Sequence, residues 1–283
     1  MPSATLLGQS LLSGILVGGL YALLGLGLSL AWKFLRIINL AHFGFIFVGA
    51  YLTYQLAGVW KVNPFLAMVA IVPVLFAAGA GMQALFHRFG VDEFASLLVT
   101  FGVVAVIESA IQWIWTADFR RLETEYGTAS LRVGKLFVPV AEAMTFAVAL
   151  ALAVATWALL RFTYLGKALR ASAEDPDMAA AFGVRNQRLA IVLAGAGAAT
   201  AGIAGTFVAL IGTLAPAQIY AWVGVIFAAV ILGGLGNPLG VVAAGLLIGI
   251  SEAITMALTA PSWAPLVSFT LLILVLVLRP DRV

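Results

Sequence analysis

The stretch LLSGILVGGLYALLGLGLSLAW, residues 11–32, holds no charged side chain and no proline across 22 positions. A helix needs roughly 20 consecutive apolar residues to cross the hydrocarbon core of a bilayer. No Lys or Arg precedes Lys33. The stretch therefore lacks the basic leading segment of a cleaved signal peptide and reads as a retained spanning helix. Outward from it, apolar runs recur at residues 10–32, 40–59, 64–86, 94–115, 139–160, 189–212, 222–235, 239–259 and 264–279. The seventh is short and runs into Gly233, Gly234, Gly236 and Pro238, so it reads as either a full crossing or a re-entrant half-helix. The expected fold is all-α: a polytopic membrane protein of eight or nine spans, with residues 1–283 forming one transmembrane domain.

Composition leads to the same class. Hydrophobic residues make up 63% of the chain and charged residues 10%, against about 25% charged in soluble domains. Too little charge is present to solvate a globular surface, so lipid is the solvent. In lipid only helices and closed barrels satisfy their own backbones. The runs are continuous and lack the two-residue alternation of outer-membrane strands, which leaves helices. The 29 glycines fit this setting, because small residues let spanning helices approach closely. With no cysteine, disulfides, thiol catalysis and Cys-ligated zinc are excluded. Only His42 and His87 are available as imidazole ligands, so no metal site is expected.

Orientation follows from the excess of Lys and Arg in cytoplasmic loops. With the N-terminus outside and nine spans, Lys33, Arg36, Arg88, Arg161, Lys167, Arg170, Arg185, Arg188, Arg279 and Arg282 fall inside. Lys61, Arg120, Arg121, Arg132 and Lys135 fall outside. The bias expects a cytoplasmic C-terminus. A re-entrant seventh segment would move that tail outside. Read this way, the net charge of +3 reflects basic cytoplasmic loops, and no nucleic acid partner is expected.

The inner loop, residues 161–188, is too polar to span. Glu174 and Asp175 precede Pro176, and Asp before Pro is a helix start, since Asp caps and Pro suits the first helical position. Asp177 adds negative charge to the first turn, which the helix dipole favours. Gly183 is a stop signal. The expected product is a two-turn helix over residues 176–182. Met178 and Phe182, four apart, share one of its faces. That helix reads as either a docking knob for a cytoplasmic partner or a surface helix lying at the headgroups.

Three stretches resemble the branched-chain amino acid permease family of ABC importers. ALRASAEDPDMAAAFGV, residues 168–184, is similar to the family's cytoplasmic coupling motif. INLAHFGFIFVGAY, residues 38–51, is similar to its signature after the first helix, although Phe43 separates His42 from Gly44 where the family often has His-Gly directly. AAVILGGLGNPLGVVAAGLLIGISEA, residues 228–253, is similar to its Gly-Gly-x-Gly…Pro-x-Gly segment. The length suits the shorter of the two paired permeases. The resemblance implies an importer subunit in a bacterial inner membrane. Its implied partners are a second homologous permease, two cytoplasmic ATPases seated on the coupling helix, and a soluble substrate-binding protein. It implies branched-chain or related small amino acids as cargo, moved by alternating access.

No nucleotide-binding loop is present, because Gly166-Lys167 is followed by Ala168 and position 161 is Arg where the pattern needs Gly. The chain is not expected to be an enzyme, and ATP and Mg would be bound by the partner ATPases. Candidate residues on the path are Asn39, His42, Gly44, Glu108 and Glu252. Asn39 either caps the second helix or lines the path, and His42 lies on the path or at the interface. Glu108 and Glu252 are intramembrane carboxylates, which need a partner or water. They read as an outer vestibule for an ammonium-bearing solute or as structural hydrogen-bonding groups. Gly233, Gly234, Gly236 and Pro238 read as a hinge or as a tight interhelical turn. The same two acids keep an ion-coupled secondary transporter open as the rival reading.

Overall fold

The computed structural model describes residues 4–278. The last basic residues counted above, Arg279 and Arg282, and the tail at Val283 lie outside the described residues. In chain order the main helices are α1 (Ala4–Leu35), α2 (Ala41–Thr53, continued by a π turn at Tyr54–Val59), α3 (Pro64–Phe89) and α4 (Glu93–Trp115). A short strand β1 (Arg120–Arg121), one helical turn α5 (Glu125–Thr128) and a hairpin of β2 (Ser130–Val133) with β3 (Leu136–Pro139) follow. Then come α6 (Val140–Phe162), α7 (Tyr164–Glu174), α8 (Pro176–Ala181) and α9 (Asn186–Ile211). A strand β4 (Thr213–Leu214) and a 3₁₀ segment, Pro216–Trp222, lead into α10 (Val223–Gly233), and α11 (Pro238–Leu258) and α12 (Ala264–Leu278) complete the order.

Among the described residues, 7 helices are long and apolar enough to cross a membrane. The seventh apolar run is longer than its sequence suggests. The 3₁₀ segment extends α10 backwards into an 18-residue unit, Pro216–Gly233, because Pro216 starts the coil before the apolar run becomes continuous. Two shorter apolar segments are α2 with its π turn and the helix Leu266–Val277.

Several helices begin at an Asx residue followed by Pro or an acid. Asn63 Oδ1 accepts from Phe65 N at 2.9 Å, Asp92 Oδ1 from Ala95 N at 2.7 Å, and Asn237 Oδ1 from Gly240 N at 3.1 Å. These side chains satisfy first-turn N–H groups that have no partner within the helix.

The helices form an inner and an outer shell. About two-thirds of the apolar window is buried in α1 and α9 (67% each), against 22% in α3, α4 and α6. α2 is interior as well, with Phe43, Phe47, Ala50 and Tyr51 fully enclosed. α1 packs along α11, and α9 packs along both α2 and α3. Backbone contact sets these distances. A Cβ at Gly18 would lie 2.6 Å from Gly245 O, and one at Gly14 would lie 2.8 Å from Gly249 O. The pairs Gly14/Gly18 and Gly245/Gly249 are two antiparallel small-xxx-small faces pressed together.

Element ends alternate between two poles. At one, Gln9 near the start of α1 donates from Nε2 to Phe137 O (2.8 Å) and accepts at Oε1 from Phe137 N (3.0 Å). There β1 also pairs with β4, and Tyr126 packs on Phe65. At the other, Arg36 Nη2 donates to Ala173 O at 2.9 Å, and the ends of α1 and α3 share a cleft lined by Arg36, Gln83, Phe86 and His87. Lys33, Arg36, Arg88, Arg161, Lys167, Arg170, Arg185 and Arg188 lie at this second pole. Lys61, Arg120, Arg121, Arg132 and Lys135 lie at the first. The seventh segment runs from the β1–β4 pole to the Lys33 pole, where a Cβ on Gly236 would meet the Lys33 side chain.

Substituting Gly18→Val or Gly245→Val should cost about 1–3 kcal/mol through overpacking of rigid backbone, read as a lowered thermal midpoint in detergent. Gly81→Ala and Gly102→Ala, which have nothing within 4 Å of the new carbon, should leave the midpoint unchanged.

Candidate functional site

The path candidates at the start of α2 are interior side chains with distinct duties. His42 is 3% exposed. Its Nε2–H donates to Leu24 O at 2.9 Å, tying α2 to the middle of α1. Gly44 lies against α4, where a Cβ would stand 2.7 Å from Ile107 Cδ1. Asn39 does not cap α2. The cap position is Leu40, in helical conformation and without a side-chain cap. Its N–H goes instead to Thr100 Oγ1 of α4, at 3.1 Å. The chain enters the helix one residue after Asn39, and the first-turn N–H groups of His42 and Phe43 bond the backbone carbonyls of Asn39 and Leu40. Asn39 Oδ1 is buried and has no hydrogen-bond partner among the described residues.

The two intramembrane carboxylates occupy separate places. Glu108 is half-buried on α4, where its Oε1 accepts from Gln112 Nε2 at 3.2 Å, and Tyr220 stands near its carboxylate. Around this pair α4 presents exposed Phe101, Val106 and Trp113. Glu252 is buried on α11, where Tyr21 Oη of α1 donates to Oε2 at 2.7 Å and Ser268 Oγ of α12 donates to Oε1. The 3₁₀ segment Pro216–Trp222 links the two places. Tyr220 reaches Glu108 and lies 6.4 Å from the Phe101 ring, while Trp222 lies 6.3 Å from the Tyr21 ring. Glu252 lines a cavity with Tyr21, Trp222 and Ser268, and Glu108 is not among the residues lining it.

The glycine run forms a compact turn between α10 and α11. Gly234 (φ 85°) and Gly236 (φ 74°) adopt left-handed backbone, which favours glycine. Gly236 N donates to Ser29 Oγ at 3.0 Å, and Asn237 N donates to Gly234 O at 3.1 Å. Gly233 packs on the backbone of Gly240 and Val241, and Pro238 opens α11.

The loop between α6 and α9 is a built platform. Its short helix α8 spans Pro176–Ala181, one residue less than expected, with Phe182 at the C-cap. Asp175 Oδ1 accepts from Asp177 N (3.1 Å) and Met178 N (2.9 Å). Gly183 (φ 88°) ends the helix: its N–H bonds Ala180 O at 2.9 Å, and Val184 N bonds Ala179 O at 3.1 Å. This double closure is the Schellman arrangement. Glu174 is the last residue of α7, an amphipathic helix whose buried residues are Gly166 and Leu169. Asn186 clips the pieces together, donating to Pro176 O at 2.7 Å and accepting from Ser172 Oγ at 3.0 Å. On α8 itself Ala179 is buried, whereas Met178 is 56% and Phe182 83% exposed. The platform thus holds rigidly a helix whose two largest apolar side chains face outward.

Sequence reasoning passed over Thr100, Tyr21, Ser268 and Tyr220. Each is an uncharged hydroxyl that no local pattern marks, and its partner lies on another element. Among the described residues no group of three His, Cys, Asp or Glu is placed to hold a metal ion.

The family model described as branched-chain amino acid transport system / permease component matches residues 10–276. The chain is 26% identical to the high-affinity branched-chain amino acid transport system permease protein LivH of Escherichia coli K12, covering 97% of this chain and 94% of the relative. It is 25% identical to BraD, a permease protein of the same description from Pseudomonas aeruginosa, with the same coverage. It is 29% identical to a probable branched-chain amino acid transport permease protein LivH from Methanocaldococcus jannaschii, over 88% of this chain and 81% of the relative. No solved structure matches it. Apolar helices, two charged poles and a family match over nearly the whole length agree, and this multi-pass membrane chain belongs to the branched-chain amino acid transport system permease component family.

Proposed function

We propose that the chain is the membrane subunit of an ATP-driven importer for branched-chain or related small amino acids, resident in a bacterial inner membrane. The observation that carries this reading is α8. Met178 and Phe182 stand exposed at the pole richer in Lys and Arg, on a helix capped at both ends. Exposed apolar anchors on a rigid support are what a protein partner buries. The chain holds no phosphate-binding loop, so hydrolysis belongs to that partner. ATPase closure would push α8, and α7 would pass the movement to α1 through the Arg36–Ala173 bond and to α9 through Asn186.

The opposite pole, with its β2–β3 hairpin and the β1–β4 pair, faces outward and receives the soluble binding protein. The α4 face carrying Glu108, Gln112 and exposed Trp113 would meet the second permease and border the shared path. A carboxylate on such a face needs water or a polar partner in the membrane. Asn39 Oδ1 and His42 are the interior candidates near the α2 entry, and the turn at Gly233, Gly234, Gly236 and Pro238 is the candidate hinge between α10 and α11.

Affinity capture of the tagged chain should recover two ATPase chains and a second permease. Phe182→Ala and Met178→Ala should each reduce the captured ATPase at least about tenfold, as truncated interface anchors do. The thermal midpoint of the chain alone should stay unchanged. Uptake by the lone chain driven by an ion gradient would overturn the proposal.

The chain has no native cysteine, so single-cysteine labelling reads its sidedness without background. In intact cells, a membrane-impermeant maleimide reaching the periplasm should modify Ser130→Cys. It should modify Arg185→Cys only after the inner membrane is opened. The reverse pattern would invert the assigned orientation.

A further inference from the structure

Most polar groups inside the helical layer are closed off by packing, but Glu252 is not. It is 6% exposed, yet its carboxylate forms part of the wall of a cavity of about 430 Å³. The cavity is also lined by Tyr21, Gln218, Trp222, Met256, Ser268 and Phe269. Its size is at the lower end of the ~300–1,000 Å³ typical of small-molecule sites.

The carboxylate has two described partners, the hydroxyls of Tyr21 and Ser268. Both are neutral. They orient the carboxylate from α1 and α12 and bring no positive charge to it. A carboxylate offers about four lone-pair positions, so each oxygen keeps one for a further donor. An intramembrane acid with neutral neighbours and an adjoining cavity is a candidate ligand site.

We propose that this pocket binds a primary ammonium group, which rests on Glu252. The remainder of the ligand lies along Trp222, Met256 and Phe269. A hard metal ion takes six or more oxygens, counting its waters, and the described side chains here offer few of them. Here the described oxygen sources are one carboxylate, the two hydroxyls that donate to it and the Gln218 amide, and Gln218 Oε1 already accepts from Ala215 N at 3.2 Å. An ammonium needs only three acceptors. The indole of Trp222 adds a face that attracts cations. The claim that the bound ammonium belongs to a solute on its way across rests on the importer reading; the binding itself does not.

The test uses the full chain in nanodiscs of phosphatidylcholine, with thermal midpoint against ligand concentration as the readout. The probes are L-leucine, 3-methylbutylamine, which keeps the ammonium and lacks the carboxylate, and 4-methylpentanoate, which does the reverse. Leucine and the amine should raise the midpoint, and the acid should not. Glu252→Gln should weaken the amine's apparent affinity at least tenfold. Ala221→Phe, which adds bulk at another lining position of the cavity, should do the same and stands as the test if Glu252→Gln does not fold. No shift with the amine, an equal shift with the acid, or undiminished amine binding in Ala221→Phe would overturn the proposal. Nanodiscs containing phosphatidylethanolamine separate the sources of the ammonium. Competition with the amine assigns the pocket to the lipid headgroup, and its absence assigns it to a free solute; either result keeps the ammonium chemistry. No readout here involves the ATPase, so failure of the pocket and failure of the importer reading are separately visible.

Discussion

The rest of the structure hangs on α1, a helix enclosed on nearly every side. A helix in the middle of a membrane domain gains little from apolar burial against lipid, so close packing and polar ties must fix its place. α1 has both. Gly14 and Gly18 let α11 approach to backbone contact, and polar bonds are spaced from end to end. Gln9 holds the β3 strand, Tyr21 holds Glu252, Leu24 O receives His42, Ser29 receives Gly236 and Arg36 holds Ala173. Each bond reaches a different element. Displacing α1 alone would break several of them together, so α1 couples these elements and a movement of one is felt by the others through it.

That arrangement explains what was legible in the sequence. Residues 11–32 read as a span because apolar length is a local property. The start and stop of α8 read correctly because Asp175, Pro176 and Gly183 act through bonds within three residues. The pairing of Gly14/Gly18 with Gly245/Gly249 was invisible as a contact, since both patterns are common and nothing local says that they meet. The same holds for Thr100 of α4, whose hydroxyl receives Leu40 N–H at the entry to α2. The backward extension of α10 was missed because the 3₁₀ turn at Pro216 sits among polar and aromatic residues.

The two intramembrane acids show the limit of such reading most plainly. In sequence they are equivalent: single carboxylates in apolar runs. In the structure Glu108 bonds to its own helix on a partly exposed face near Tyr220, while Glu252 ties α1, α11 and α12 together at the wall of a cavity. The difference depends on which neighbours each helix face meets, and only the fold supplies them. The 3₁₀ segment Pro216–Trp222 is the physical link between the two acids. Having no wide turn to spare, it places Tyr220 on one side and Trp222 on the other.

This link bears on how movement at one pole could reach the interior. α10 follows the 3₁₀ segment directly and ends at the pinned turn on Ser29 and Lys33, close to where Arg36 meets the α7–α8 platform. A push on the platform therefore reaches the lower end of α10 through α1, at a place fixed by hydrogen bonds. Its upper end carries Tyr220 and Trp222, held by side-chain contacts to Glu108 and Tyr21. An element anchored firmly below and by side chains above transmits displacement upward, and the groups it would displace first are those around the two carboxylates.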